Sequence, residues 1–151
     1  MDNNTSTLIK LTNGIYRCTQ VYLDKRLCEI NLTTGTYPYL FVLDQCRGIS
    51  QNDISRELSV DKAMSARTVK KLIELGYVRK EENKEDVRAY KLYITDKGKS
   101  LIPEIHKIVQ EWINILVEGN NEDEVKTSIK FLEDVLKKGK AYKATCCKRR
   151  K

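Results

Sequence analysis

The residues that most clearly indicate a chemical function lie between Ile49 and Gly98, on one short helix and on the hairpin after it. The segment DKAMSARTVKKLIELGYVRK combines a polar N-terminal half with an apolar seam, and EENKEDVRAYKLYITDKG follows at once. Such a helix and a hairpin with a basic tip can occupy the major groove of DNA and the minor groove beside it. The polar helix residues are Lys62, Ser65, Arg67, Thr68, Lys70 and Lys71. No other stretch suggests a specific chemistry.

The net charge of +7 is unevenly distributed, so by itself it supports DNA binding only weakly. Residues 137–151 carry eight basic and no acidic side chains, which is more than the whole excess. Residues 61–99 carry 11 basic and 7 acidic side chains, whereas residues 100–136 carry 3 basic and 8 acidic ones. The local excess over residues 61–99 is therefore the better evidence for a nucleic-acid interface.

Length and composition exclude several classes of protein. A chain of 151 residues is long enough for one compact domain with its own core. It has no long apolar run and no secretory signal at its N-terminus, so a cytoplasmic location without a membrane segment is expected. Five cysteines without a disulfide or zinc spacing, and a single histidine, His106, predict no metal or other cofactor. An enzyme is the weakest class, because nucleotide-binding glycine motifs and a nucleophile elbow are missing from the sequence.

Hydrophobic periodicity predicts the helices that precede the central run. Apolar residues at three- and four-residue steps predict a long helix over residues 7–30. A second, mostly buried helix has Pro38 in its first turn, and Gly48 ends it. Ser50 then caps a third, short helix.

The central helix and the hairpin have recognisable boundaries. Asp61 is predicted to cap the helix and Gly76 to end it in a left-handed conformation. A short strand over residues 77–80, a polar turn over residues 81–87 and an alternating strand over residues 88–94 form the hairpin.

Two long helices complete the prediction. Thr95 caps the first of them, and Pro103 within it is expected to cause a bend. The last helix covers residues 122–138, Gly139 ends it, and residues 139–151 form a flexible basic tail.

Over residues 8–138 the chain resembles the MarR family of winged helix-turn-helix transcriptional regulators. The resemblance is carried by Ser65-Ala66-Arg67-Thr68-Val69 through Leu72, by Gly76-Tyr77-Val78, by Asp86-Val87-Arg88, and by Leu92 to Gly98. Ala66 departs from the pattern, because many members have threonine there, and a hydroxyl contact at this position would be lost or would pass to Ser65 or Thr68. The resemblance implies a mostly helical α+β fold with a winged helix-turn-helix DNA-binding core flanked by N- and C-terminal dimerisation helices.

The resemblance also implies a homodimer on a double-stranded DNA operator and roles for individual residues. The helix after Asp61 would be the recognition helix, in which Arg67 contacts a base or a phosphate. Arg88 would enter the minor groove, held by Asp86 through a charge-assisted hydrogen bond. The other DNA-binding candidates, which contact or attract phosphates, are Lys62, Ser65, Thr68, Lys71 and Lys84.

In domain terms the resemblance implies an N-terminal dimerisation helix (1–34), a winged region (35–98), C-terminal dimerisation helices (99–138) and a tail (139–151). The apolar residues 101, 105, 108, 112 and 116 would then bury their stripe against a partner helix. The alternative is that these helices only close the core of one monomer.

The family commonly responds to small, often aromatic molecules, so the expected function is a repressor that a small aromatic effector releases. Candidate effector contacts are Tyr16, Tyr22, Tyr39 and Trp112, although aromatic residues are more often part of a core. Three alternatives stay open. The chain could be a winged-helix module that binds protein, the Asp86–Arg88 pair could be a salt bridge without a ligand, or Cys18 could serve a thiol-based redox sensor.

Overall fold

This computed structural model describes residues 3–83 and 86–148 of the chain. These residues contain seven α-helices and three strands. In chain order they are α1 (Asn3–Leu27), α2 (Tyr37–Gln45), β1 (Ile49–Ser50), α3 (Gln51–Glu57), α4 (Lys62–Glu74), β2 (Val78–Asn83), β3 (Asp86–Ile94), α5 (Asp96–Lys99), α6 (Ile102–Val117) and α7 (Glu122–Lys148). A 3-10 turn, Cys28–Ile30, follows α1. The chain divides into two compact units, Met1–Trp112 and Ile113–Lys151.

The three strands form one antiparallel sheet in the order β1-β3-β2. Val78 pairs with Ile94 across β2 and β3, and Ile49 pairs with Leu92 across β1 and β3. The hairpin was predicted correctly, but its strands run closer to the tip than expected, with β2 reaching Asn83. The strand β1 was not predicted, because two residues are too short to show an alternating pattern.

The hydrophobic core of the first unit contains residues of α1 and α6 together with residues of the winged region. Leu27 of α1 and Ile105 of α6 are buried, and so are Leu72 of α4 and Leu92 of β3. Each fully buried apolar side chain contributes roughly 1.5–3 kcal/mol to stability. The other members of the core are Leu23, Leu32, Tyr39, Leu40, Leu43, Ile54, Val69, Tyr77, Val78, Ile94 and Ile108.

The helix boundaries predicted from capping residues are confirmed in the winged region. The Ser50 hydroxyl accepts a hydrogen bond from the Asp53 N–H at 3.1 Å, and Thr95 caps α5 by accepting from the Gly98 N–H at 3.1 Å. Gly76 follows α4 with a φ of 75°, which an L-residue with a side chain rarely adopts. These local signals therefore place α3, α4 and α5 correctly.

The helix predicted after Thr95 is divided in two. The segment α5 ends at Lys99, and α6 begins at Ile102, one residue before Pro103. Proline has no N–H and its ring clashes with the carbonyl group four residues earlier, so a continuous helix is disfavoured there. The predicted bend at Pro103 is therefore a break, with proline in the first turn of the new helix.

The helix α7 continues past Gly139 to Lys148, so the predicted end at Gly139 was wrong. Gly139 is not among the glycines with positive φ, and a glycine inside a helix costs about 1 kcal/mol relative to alanine. Good helix formers on both sides offset that cost. Residues 139–148, predicted as part of a flexible tail, are thus helical, and residues 149–151 lie outside the described chain.

Among the helices of the described ranges, none combines the length and the apolar composition that crossing a lipid bilayer requires.

Candidate nucleic-acid interface

The turn between α3 and α4 fixes how the second helix leaves the first. Ser59 adopts a φ of 55°, and the N–H groups of Ser59 and Val60 donate to the carbonyl oxygens of Arg56 and Ser55 at 3.1 and 3.0 Å. This pair of hydrogen bonds around a left-handed residue is a Schellman motif, which satisfies carbonyl groups at a helix end. The two helices are therefore joined by a rigid turn.

Asp61 fixes the N-terminal end of α4, as predicted. Its Oδ1 accepts hydrogen bonds from the N–H groups of Ala63 at 2.8 Å and Met64 at 3.2 Å. The hydrogen bonds from Met64 and Ala63 hold the pKa of the Asp61 carboxyl below its ordinary value, because they stabilise the charged form. Asp61 is therefore ionised at neutral pH, where its charge complements the positive end of the helix.

One face of α4 is polar and solvent-exposed, as expected for a helix that enters a groove. Val69 and Leu72 are buried on the opposite face. The exposed face presents Arg67, Lys70 and Lys71, so it has the positive charge that a phosphate-lined groove attracts. Of the predicted DNA-binding residues on α4, Lys62, Arg67 and Lys71 are exposed and Thr68 is half-buried.

Ser65 does not lie on this face, and its predicted phosphate contact was wrong. Its side chain is fully buried, four residues before Val69 and seven before Leu72, so it shares their side of the helix. The prediction followed the polarity of serine rather than its helical phase. The Ser65 hydroxyl is buried without a hydrogen-bond partner among the described residues.

Met64 is a candidate interface residue that the sequence analysis missed. It is 50% exposed, although it is apolar, and it lies one turn before Arg67 and two turns before Lys71 on the same face. An apolar side chain at that position suits the methyl group of thymine in the major groove. The signal that could have revealed Met64 is its phase relative to the buried positions Ser65 and Val69.

The residues that follow the hairpin hold the C-terminal end of α4. The Thr95 hydroxyl donates to the Gly76 carbonyl oxygen at 2.7 Å, and the Lys97 Nζ donates to the Leu75 carbonyl oxygen at 2.9 Å. Both acceptors lie just after the last turn of α4, where carbonyl groups have no partner within the helix. These two hydrogen bonds, here called the Thr95–Lys97 latch, connect α4 directly to the segment after β3. The hairpin of β2 and β3 is called the wing below.

Gly98 brings the same two segments close together. A Cβ atom at Gly98 would overlap the carbonyl oxygen of Tyr77 and would lie 2.8 Å from the Ile94 Cγ1. The Tyr77 carbonyl also accepts a hydrogen bond from the Thr95 N–H at 3.0 Å. The glycine is therefore required by close backbone packing.

Two cations near the base of the wing are held by neighbouring groups. The Arg79 guanidinium forms an ion pair with Glu81 and lies 4.8 Å from the centre of the Tyr93 ring. The Lys80 ammonium lies 3.7 Å from the centre of the Tyr90 ring. Because both side chains remain exposed, they add positive charge to the wing in defined positions.

The wing is also fitted against the turn before β1. Gly48 adopts a φ of 98°, and a Cβ atom there would lie 2.7 Å from the Tyr93 ring. The ring therefore packs directly on the glycine backbone, with Arg79 also close to the ring. This contact joins β3 of the hairpin to the turn that precedes β1.

Three predicted wing contacts fall at the tip of the hairpin. Lys84 lies outside the described residues, and the structure describes Asp86 and Arg88 only as backbone positions at the start of β3. The minor-groove role of Arg88 and the bracing role of Asp86 therefore stay predictions.

Two of the predicted effector residues meet between α1 and α6. The rings of Tyr22 and Trp112 stack with centroids 4.8 Å apart, and the Trp112 Nε1 donates to the Thr19 hydroxyl at 2.9 Å. They line an open groove of about 440 Å³ together with Arg17, Cys18, Val21 and Lys25. The groove has an aromatic floor and cations at its rim, and Cys18 is exposed within it.

An ion pair also connects α1 and α6 near this groove. The Arg26 Nη1 lies 2.9 Å from the Glu111 Oε2, and Glu111 is the main cause of a raised Arg26 pKa. The Tyr22 hydroxyl is 3.5 Å from both groups.

The other two predicted effector residues lie elsewhere. Tyr39 is buried in the core and its hydroxyl has no partner among the described groups. Tyr16 is 59% exposed on α1, where its hydroxyl accepts a hydrogen bond from Gln20 at 3.1 Å. Neither residue lines the Tyr22–Trp112 groove, so their roles as effector contacts stay predictions.

Comparison with known proteins identifies the family. A sequence model described as MarR family matches residues 30–89. The HTH-type transcriptional regulator BilQ of Clostridioides difficile (strain CD3) is 37% identical over 116 residues, which are 77% of this chain and 78% of that protein. A crystal structure of a MarR transcriptional regulator from Methanosarcina mazei Go1 aligns with a TM-score of 0.82 at 31% identity, covering 89% of this chain and 96% of that one. The chain belongs to the MarR family.

A further MarR structure has the same fold and contains a nucleic acid. A mutant of MarR from E. coli, crystallised with operator DNA, aligns with a TM-score of 0.81 at 24% identity, covering 89% of this chain and 96% of that one. The MarR resemblance and the winged helix fold predicted from the sequence are thus confirmed. The chain is a DNA-binding transcriptional regulator of a non-enzymatic family.

Proposed function

We propose that this MarR-family protein acts in the cytoplasm as a homodimer that binds a pseudo-palindromic operator and represses transcription until a small molecule releases it. The observation that carries the proposal is the exposed basic face of α4, which the Thr95–Lys97 latch connects to the wing. A helix and a wing in fixed relation can contact neighbouring grooves of one duplex.

The recognition helix supplies both sequence reading and positioning. Arg67 is exposed on the face of α4 that we assign to the major groove, where its planar fork can pair with guanine O6 and N7. Lys62 and Lys71 are exposed on the same helix and suit phosphate contacts, which position the protein without reading sequence. Met64 adds an apolar contact for thymine.

The wing supplies the contact with the adjacent minor groove. Arg88 enters the groove, where a guanidinium gains most if the groove is narrow and strongly negative, and Asp86 restricts its rotamers. Arg79 and Lys80 stay near the base of the hairpin and attract the phosphate backbone.

Exposed apolar side chains support a homodimer. Soluble monomers rarely expose contiguous apolar patches larger than a few hundred Å², so helices with many exposed large apolar residues suggest protein interfaces. On α1 these residues are Ile9, Leu11, Ile15, Tyr16 and Val21, and on the last two helices they are Ile113, Ile115, Leu116, Ile129, Phe131, Leu132, Leu136 and Tyr142. Two copies on one duplex predict half-sites about one helical turn apart.

The decisive experiment selects bound sequences from a random duplex pool with the purified full-length chain. The expected result is a pseudo-palindrome that is bound at least about 10³-fold more tightly than random duplex at physiological salt. Binding should weaken with added salt, because released counterions favour the complex at low salt. No enrichment, with equal affinity for all duplexes, would rule out sequence-specific regulation and favour the protein-binding alternative.

The Tyr22–Trp112 groove is the proposed effector site within one chain. Its stacked rings offer a surface for a planar aromatic molecule, and Arg17 and Lys25 at the rim suit an acidic substituent. Because Trp112 is the only tryptophan, its fluorescence reports directly on this groove.

A bound aromatic acid should quench the Trp112 emission at the same concentrations that release the operator. Val21→Arg, which fills the exposed rim of the groove, should raise the concentration needed for both effects. Release of DNA without any change in Trp112 emission would place the effector elsewhere. Release by peroxide, prevented by Cys18→Ser, would support the redox alternative.

A further inference from the structure

The phenol of Tyr77 connects the C-terminal ends of two helices that lie far apart in the sequence. Its hydroxyl donates a hydrogen bond to the Ile30 carbonyl oxygen at 3.1 Å, across 47 positions of the chain. Ile30 ends the 3-10 turn that follows α1, and Tyr77 lies just after α4, the proposed recognition helix. The hydrogen bond therefore joins α1 directly to the helix that we assign to the major groove.

The backbone of Tyr77 is held at the end of α4. The Tyr77 N–H donates to the Leu72 carbonyl oxygen at 3.0 Å. The Gly76 N–H donates to the Ile73 carbonyl oxygen at 2.9 Å, and Gly76 has a φ of 75°. This pair of hydrogen bonds around a left-handed residue is a Schellman motif. Because Leu72 and Tyr77 are also both buried, Tyr77 moves together with the last turn of α4.

The acceptor of this hydrogen bond is held in the same way at the end of α1. The Asn31 N–H donates to the Cys28 carbonyl oxygen at 3.1 Å, and Asn31 has a φ of 58°. The Leu32 N–H donates to the Leu27 carbonyl oxygen at 3.0 Å, which completes a second Schellman motif. The Ile30 carbonyl group lies inside this motif, so its direction is fixed relative to α1.

The ring of Tyr77 is held as well as its backbone. The Lys97 ammonium lies 5.0 Å from the centre of the ring, and it also donates to the Leu75 carbonyl oxygen at 2.9 Å. One cation thus contacts both the ring and the end of α4. Since Tyr77 is 5% exposed, packing leaves the ring few other orientations.

We infer that the Tyr77–Ile30 hydrogen bond sets the position of α4 relative to α1 and thereby determines which half-site spacing the protein accepts, an inference that rests on the proposed homodimer. In that proposal α1 lies at the interface between copies, because it exposes apolar residues, and α4 contacts the operator. A contact that fixes α4 against α1 therefore also fixes the distance between the two recognition helices. Tyr77 is a positioning residue, since it acts on DNA through α4.

A hydrogen bond suits this role better than the surrounding core does. Burial of apolar side chains is non-directional, so the core contacts of Leu27 and Leu72 tolerate small rotations of α4. A hydrogen bond from a hydroxyl to a carbonyl group weakens steeply outside a narrow range of distance and angle. One added base pair moves a half-site by about 3.4 Å and turns it by roughly 35° about the duplex axis, which a fixed pair of helices cannot follow.

Removal of the Tyr77 hydroxyl in the full-length protein tests the inference. The duplexes carry the selected operator with its original spacer, or with one base pair added to or removed from the spacer. For the original protein, each altered spacer should weaken binding about 100-fold. For Tyr77→Phe that penalty should fall to about tenfold, because α4 can then adjust to the altered spacing. Fluorescence anisotropy at one salt concentration measures the Kd values.

Tyr37→Phe is the matched control. Tyr37 is a half-buried tyrosine in the first turn of α2, and its ring packs edge-on against Phe41. The substitution removes the same atom without altering the contact between α1 and α4, so the spacing penalty should stay within about twofold of the original. Both variants should keep the original circular dichroism spectrum. Loss of one hydrogen bond should lower the Tm of Tyr77→Phe by about 1–4 °C.

The possible failures are distinguishable. An unchanged spacing penalty in Tyr77→Phe, even with a lower Tm, overturns the inference alone, because the hydroxyl then only stabilises the fold. An equal loss of the penalty in both variants overturns it as well, since the effect is then not specific to the contact with Ile30. Equal binding of all spacers by the original protein contradicts the proposed homodimer on a pseudo-palindrome, and the inference with it.

Discussion

Replacing Arg67 with alanine is expected to weaken operator binding by about 1–3 kcal/mol, roughly a 5- to 150-fold rise in Kd, and to relax sequence preference at one position of each half-site. The reason is geometric. Arg67 lies on the exposed face of α4, and both ends of that helix are fixed, by the Asp61 cap and by the Thr95–Lys97 latch. Fluorescence anisotropy with the selected operator and its single-base variants measures both effects.

Lys71→Ala provides the matched comparison for Arg67. Lys71 is exposed on the same helix, but a lysine that contacts a phosphate reads no sequence. Its loss should weaken binding by a similar factor for all duplexes and lower the slope of affinity against salt by about one unit. If Arg67→Ala behaved in the same uniform way, Arg67 would be a phosphate contact and another residue would read the bases.

Gly98→Ala is expected to lower the free energy of unfolding by about 1–3 kcal/mol, because the added methyl group overlaps the Tyr77 backbone and cannot be accommodated by a flexible side chain. Relief of the overlap must move α5 away from β2. That movement lengthens the hydrogen bonds of the latch, so operator affinity should fall as well. Urea denaturation and anisotropy measure the two effects.

Gly14→Ala is the control for Gly98. Gly14 lies inside α1, and no atom lies within 4 Å of the position its Cβ would take. Alanine there should raise helix stability by roughly 0.5–1 kcal/mol. A Gly98→Ala protein as stable as the original would show that the close approach to Tyr77 is not required in solution.

The sequence was most informative where a boundary depends on a single side chain. Ser50, Asp61 and Thr95 each form the predicted cap, and Gly76 adopts the predicted left-handed conformation. Capping requires only a hydroxyl or carboxylate next to free N–H groups, so no knowledge of the tertiary structure is needed.

The errors arose where residue type and position disagree. Ser65 is polar but lies in the buried phase of α4, and Met64 is apolar but lies in the exposed phase. Gly139 is a residue type that often ends a helix, yet the residues around it favour helix strongly enough for α7 to continue through it. In each case the surroundings, and not the side chain alone, determine the outcome.

The contacts of the effector candidates were the least predictable part. Tyr16, Tyr22, Tyr39 and Trp112 are similar in type, and only packing between α1 and α6 brings Tyr22 and Trp112 into contact. Contacts between residues so distant in sequence leave no local pattern, whereas the DNA-binding face is contained in one helix and one hairpin.

The two-residue strand β1 has a consequence for how the winged region folds. Ile49 and Ser50 pair with Leu92 and Lys91, and all of α3, α4 and β2 lie between these partners in the chain. Pairing of β1 with β3 closes a long loop of the chain, which costs entropy, so this pairing forms late in folding. A chain cut before β3 would lack Leu92 and Ile94 from the core that includes Ile54 and Leu72, so the helix pair should not persist as an independent fragment. The wing is thus part of the folding unit as well as part of the DNA-binding surface.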